Sequence, residues 1–280
     1  MTYEEIVSRL DFRGGELPIL SELHKKYGPQ KELAWKRYCE GDDSFKAYLE
    51  ECSEKSGFSV GMLNLYFYIL FGEHTYEICM SRNIPEENFL WIMRAYAAVS
   101  IVNHEKTGEY GLGLPIYRSF MRRYVEAVIF KLGRLEFEVS QSPIAFEIDG
   151  RKIAKGDTVL SVHIPKDAAF TEELCEDSYR RAKVFFKKHF DIDSPVFICE
   201  SWLLDPWLEE CLKEGSSILS FRRKFKILEV TDDADDAIGW IFGKKLDNIE
   251  DYAEDTTIRR AAKKKLLSGE RIGTALGTRL

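Results

Sequence analysis

The chain has no long uninterrupted apolar run. Its most hydrophobic stretch, Leu63 to Phe71, is broken by Asn64 and is too short to span a bilayer. An excess of positive charge is missing as well. With 40 Lys and Arg against 47 Asp and Glu, the formal net charge is -7. Such a chain has no general attraction for nucleic acid or anionic lipid, so neither nucleic acid nor membrane is expected as a partner. The opening MTYEEIVSRL is acidic and polar, unlike a secretory leader, and a cytoplasmic location is the expectation. Metal-ligand spacing is also lacking. The 6 cysteines, at positions 39, 52, 79, 175, 199 and 211, form no CxxC pair and no compact Cys/His cluster, so reduced, mostly buried thiols are expected and a structural zinc site is not.

What is present describes a globular protein. A chain of 280 residues with 45% hydrophobic and 31% charged residues can bury a sizeable core or divide into two. The first hundred residues read as helices over Tyr3 to Leu10, Leu17 to Tyr27, Gln30 to Tyr38 and Ser44 to Glu54, with breaks at Gly14-Gly15, Gly28-Pro29 and Gly41-Asp42. The next helix, Ser59 to Phe71, is the most apolar and is predicted to be the centre of a bundle. A helix-turn-helix outline comes next, Glu73 to Arg82 and then Glu86 to about Asn103, with Pro85 between them. Its second helix carries Arg94 as its sole basic residue on a body of Phe89, Leu90, Ile92, Met93, Tyr96 and Val99, which suits packing and not DNA reading. The glycines of Lys106 to Gly113 mark the expected end of the helical region, and a further helix is predicted from Ile116 to Lys131.

The second half changes period. Arg134 to Ser140 alternates as a strand, with Leu135, Phe137 and Val139 on one side and Arg134, Glu136 and Glu138 on the other. Pro143 to Ile148 and Arg151 to Lys155 form a predicted hairpin about Asp149-Gly150. The stretch around which the rest is organised is Thr158 to Trp202: strand Thr158 to Ile164, amphipathic helix Thr171 to His189, strand Val196 to Cys199. A strand-helix-strand unit of this size predicts two parallel neighbours joined by a right-handed crossover. Beyond it a short helix is expected at Leu208 to Lys213, a long strand at Ser217 to Glu229, an acidic loop at Val230 to Ala237 and a last strand at Ile238 to Phe242. Thr257 can cap a helix from Ile258 to Leu267 whose dense Arg259, Arg260, Lys263, Lys264 and Lys265 read as a solvated basic face.

That order of elements resembles the GNAT superfamily of acyl-CoA-dependent N-acyltransferases. The strings FKLGRLEFEV, VLSVHIP, CESWLLDPWL and SILSFRRKF resemble, more closely, bacterial acyltransferase-like proteins in which a helical N-terminal domain precedes a GNAT-like C-terminal domain. The resemblance implies an α+β protein: a helical N-terminal bundle over residues 1–110 followed by a GNAT-like mixed-sheet domain over 111–280, with helix 116–131 able to pack with either. It implies acetyl-CoA or another acyl-CoA as co-substrate and a small-molecule amine as acceptor. It also implies that the strands at Thr158 to Ile164 and Val196 to Cys199 splay to admit the pantetheine arm. The pyrophosphate would then lie at the turn PKDAAFTEE, which has no glycine and a single lysine. Ile164, Lys166 and Thr171 are the candidates there, and Arg222, in a predicted positive strip with Lys224 and Lys226, is a further phosphate candidate.

Three residues at the strand ends are candidates for chemistry. His163 lies at the carboxyl end of its strand, where open α/β sheets place ligands, and a neutral imidazole can take a proton from an attacking amine. Cys199 and Ser201 end the neighbouring strand and are candidates for a nucleophile or for a hydrogen bond to the acyl carbonyl. Direct attack by the amine is preferred to a covalent intermediate on Cys199. Glu136 and Glu138 share a face and are candidates for orienting an amine. The rival reading is a non-catalytic ligand- or protein-binding regulatory protein that kept the fold without the phosphate-cradling turn.

Overall fold

The chain divides, in a computed structural model, into Met1–Phe130 and Lys131–Leu280. The structure describes all residues except 13–14, 114, 166–168 and 232–233, and of 115–119 and 234–236 it describes the backbone only. The first unit holds helices α1 (Tyr3–Val7), α2 (Glu16–Tyr27), α3 (Lys31–Cys39), α4 (Asp42–Ser56), α5 (Val60–Leu70), α6 (Gly72–Ser81), α7 (Glu86–Thr107) and α8 (Pro115–Val125). As the sequence predicts, α5 is the centre: every residue from Met62 to Leu70 is buried, which an amphipathic surface helix cannot do. Ser59 starts it by accepting a hydrogen bond from the Met62 amide. Its Phe67 and Tyr68 rings pack against Phe45, and Phe71 just past its end packs on Phe45 and Phe67. The glycine-rich stretch after α7 lies on this bundle, because the Leu112 amide donates to the Gly61 carbonyl and Asn103 donates to the Glu109 carbonyl. Gly111 adopts φ +106° there, and a Cβ on it would meet the Gly61 carbonyl carbon at 2.4 Å.

The sheet uses β1 (Ile129–Leu132), β2 (Leu135–Gln141), β5 (Thr158–His163), β6 (Phe197–Ser201), β7 (Lys226–Thr231) and β8 (Thr274–Arg279), in the order β1-β2-β5-β6-β8-β7. A separate hairpin of β3 (Phe146–Ile148) and β4 (Arg151–Ile153) turns at Asp149 and Gly150, both with positive φ, as an Asp-Gly turn requires. The predicted crossover is present: β5 and β6 are parallel and α9 (Glu172–Phe190) joins them. Thr171 caps α9, and Lys187 and Lys188 sit in its last turn, where the helix dipole favours cations. All other sheet pairings with a defined register, β2 with β5, β6 with β8 and β7 with β8, are antiparallel.

The segment after β6 departs from expectation in three places. Ser217 to Glu229 is not one strand: Ser217–Arg222 is a helix, and β7 begins at Lys226. Ile238 to Phe242 is not a strand either, since it lies in the helix Ala234–Phe242. Its buried residues Ala237, Ile238 and Ile241 have helical spacing, and Ala237 and Ile241 pack with Leu208, Leu219 and Ala262. The strand that completes the sheet is instead β8, which enters between β6 and β7. With these helices and α10 (Leu208–Cys211), the helices of the second unit are numbered α9, α10, α11 (Ser217–Arg222), α12 (Ala234–Phe242) and α13 (Thr257–Leu267).

Candidate active site

Strand register assigns every side chain of the central strands to a face. Leu160 is level with Phe197 and Ser161 with Ile198, while Phe137 is across from Val162 and Phe197 across from Arg279. Leu160, Val162, Phe197, Cys199 and Arg279 therefore share the face that α9 covers. Tyr179 of α9 packs edge-on against Phe197 at 4.9 Å and Phe137 at 5.4 Å between ring centroids. Arg279 lies over the Tyr179 ring at 4.0 Å and holds Glu176 with two bonds of 2.9 and 3.0 Å.

The opposite face is apolar at one end and polar at the other. Near the start of β5, Val159, Ile198 and Leu276 pack with Ile148 and Ile153 of the hairpin. Toward the end of β5 stand Glu136, Glu138, Ser161 and His163, with Ser140 across from Val159 on the same face. The Ser140 and Ser161 hydroxyls are 2.8 Å apart, and His163 Nε2 is 2.8 Å from Glu138 Oε2. The Glu138 side chain is 12% exposed and that of His163 is 29% exposed, so the imidazole reaches solvent while its partner is largely shielded.

The pairing between β5 and β6 is short. The ladder of β5 with β6 ends at Ser161 and Ile198, although β5 continues to His163 and β6 to Ser201. Val162 and His163 go on pairing with β2, and Cys199 to Ser201 with β8, so the two parallel strands part at their carboxyl ends. Two residues past the last rung, His163 stands at the mouth of that opening. A mixed sheet whose parallel pair parts beside a helix start has the topology expected from the resemblance, and the model of the GNAT-like C-terminal domain matches residues 129–279. The chain belongs to that family. No curated protein sequence matches it. Among solved structures, an acyltransferase in complex with decanoyl-CoA superposes on this GNAT-like protein with a TM-score of 0.66 at 25% identity, over 79% of this chain and 66% of the other. A complex with decanoyl-CoA and teicoplanin, and a mutant with octanoyl-CoA, each reach a TM-score of 0.66 at 20% identity, over 81% of this chain and 68% of theirs. The chain thus spans just under two thirds of the first of these.

The candidates fall into separate settings within the GNAT-like sheet. His163 and Cys199 point to opposite faces, so the sheet does not bring them together as a dyad. Cys199 is 1% exposed and burial pushes its thiol up to about 12, so it carries its proton at neutral pH. Ser201 accepts a bond from the Leu203 amide at 3.2 Å and starts the turn that leaves β6. Ile164 comes directly after β5 at the opening, and Lys166 lies outside the described residues. Thr171 accepts from the Leu174 amide at the start of α9, beside Glu172, which is paired with Lys224 at 2.8 Å. Arg222 is not part of a positive strand strip. It ends α11, its side chain is 13% exposed, and it binds Glu209 at 2.6 Å and the Asp205 carbonyl at 3.3 Å. The partnership of Glu138 with His163 is the contact that neither strand's alternation reveals alone.

Arg279 has an electrostatic consequence at the α9 side. Its hydrogen bonds, with help from its charge and those of Lys224 and Lys183, hold Glu176 below the usual carboxylate range against the opposing effect of burial. A lowered folded-state pKa means the pair stabilises above the unfolded value and the benefit is lost as pH falls through the folded one. Arg279→Gln is therefore expected to weaken the fold more at neutral pH than in acid below the ordinary glutamate range of about 4.3. Urea denaturation of both proteins at the two pH values checks it; an equal loss at both would assign the effect to packing on Tyr179.

Proposed function

We propose that the protein is an acyl-CoA-dependent N-acyltransferase in which His163 serves as general base toward a small amine. The observation that carries the reading is the parting of β5 and β6 with an imidazole at its mouth. Support for the acyl donor comes from family membership and from the acyl-CoA complexes among similar structures. The residues present suit such a donor. The opening is bounded by strand backbone, α9 offers a phosphate the first-turn amides that the Thr171 cap does not take, and Glu172 beside them is paired with Lys224.

In this mechanism the amine gives a proton to His163, and its nitrogen lone pair forms a bond to the thioester carbonyl carbon. The carbon–sulfur bond then breaks, and the thiolate leaves as the thiol once a proton returns to it, giving an amide. Cys199 takes no part as nucleophile, because a neutral thiol on the α9 face neither attacks nor meets the base. Calorimetric titration with acetyl-, octanoyl- and decanoyl-CoA is expected to show one site per chain, with binding retained in His163→Gln. Failure of the whole series to bind would remove the enzyme reading and leave the fold as a binding module.

A further inference from the structure

We propose that Glu138 is a positioning residue that fixes the tautomer of His163, so that Nδ1, and not Nε2, takes the proton from the acceptor amine; this rests on the acyltransferase reading. His163 Nε2 lies 2.8 Å from Glu138 Oε2. A carboxylate is an acceptor only, so the hydrogen in that bond belongs to Nε2. A neutral imidazole has one N–H, which puts the lone pair that can act as a base on Nδ1, away from Glu138.

The sheet explains why this carboxylate reaches this ring. Glu136 is directly across from His163, and Glu138, on the next position of the same face, is its diagonal neighbour. Ser161, directly across from Glu138, has its hydroxyl engaged with Ser140 at 2.8 Å. Glu138 is 9% exposed, so water competes little for the bond. When the amine's proton arrives on Nδ1, both ring nitrogens carry hydrogen and the Nε2–H bond to Glu138 becomes charge-assisted. The proton then passes to the departing sulfur or to water, and the neutral ring returns with its hydrogen still on Nε2. Glu138 itself touches no reacting atom.

Two measurements on the full chain test this. In steady-state assays with decanoyl-CoA and an accepted amine, Glu138→Gln is expected to lower kcat about 10- to 100-fold and leave the KM for acyl-CoA within about twofold. Glu138→Asp should recover part of the loss. The decisive term is the cycle: Glu138→Gln should cost nothing more once His163 is glutamine, because a residue acting through the ring has no route without it. Additive losses overturn the proposal. Separately, ¹⁵N spectra of the neutral ring should show hydrogen on Nε2 in the wild type and lose that preference in Glu138→Gln. Hydrogen on Nδ1 in the wild type would overturn the tautomer assignment whatever the kinetics. Absence of acyl transfer by a folded wild type would instead overturn the acyltransferase reading, and the spectrum would still report on the His163–Glu138 bond by itself.

Discussion

Replacing His163 by glutamine is expected to lower kcat for acyl transfer to an amine by about 10²- to 10⁴-fold, the usual contribution of a positioned general base. Glutamine keeps the polarity and much of the length of the side chain but cannot accept and release a proton near neutral pH. The loss should fall on kcat and on kcat/KM together, because proton removal belongs to the transition state and not to substrate binding. Affinity for acyl-CoA should persist, since the proposed mechanism asks the imidazole to move a proton and not to hold the donor. Thermal unfolding of the variant should match the wild type, as the ring is partly solvent-exposed at a strand end. A variant that transfers acyl groups at the wild-type rate would show that solvent or another side chain takes the proton.

Phe197→Ala is expected to cost about 3–5 kcal/mol of stability, the range for removing a buried phenyl ring. Phe197 is fully buried, and its ring meets Tyr179 at 4.9 Å and Phe137 at 5.6 Å between centroids. It also sits level with Leu160 on the last stretch where β5 and β6 are still paired. Its loss would leave a void under α9 that three rigid elements border, and such sites collapse poorly. Urea titration followed by far-ultraviolet circular dichroism measures the effect. A loss below about 1.5 kcal/mol, the range of tolerated hydrophobic exchanges, would mean that α9 moves to fill the gap.

The central crossover is legible in the sequence because each of its signals agrees with the others. Val159 to Val162 is a short apolar run, Pro165 stops it, Thr171 caps helix α9, and the stripe from Cys175 to Phe186 faces inward. The stretch from Ser217 to Phe242 misleads for a physical reason. Leu219 and Phe221 have strand parity, but Ile218 packs on the same cluster as Leu219, which a helix allows and an isolated strand face does not. Strand β8 is hidden by its composition: TALGTR is poor in large apolar residues because its neighbours fill the space. A Cβ on Gly277 would stand 2.9 Å from Leu204 Cδ1 and 3.0 Å from Phe225 Cβ. At the site, alternation within β5 correctly separates His163 from Val162. What no single strand contains is register between strands, and a slip of one residue changes which neighbours share a face. That is why His163 could be singled out from its own strand while its relation to Cys199 and to Glu138 could not.

The packed rings lie on the α9 side of the central sheet and the His163–Glu138 pair on the reverse, so the sheet separates an aromatic layer from a polar cluster. Ser140, Ser161 and Glu136 lie on the opposite side from Phe137, Phe197 and Tyr179, so exchanges there need not disturb that packing. Changes at well-separated positions on the two sides should then add in their effects on stability, so that each side can vary with little reference to the other.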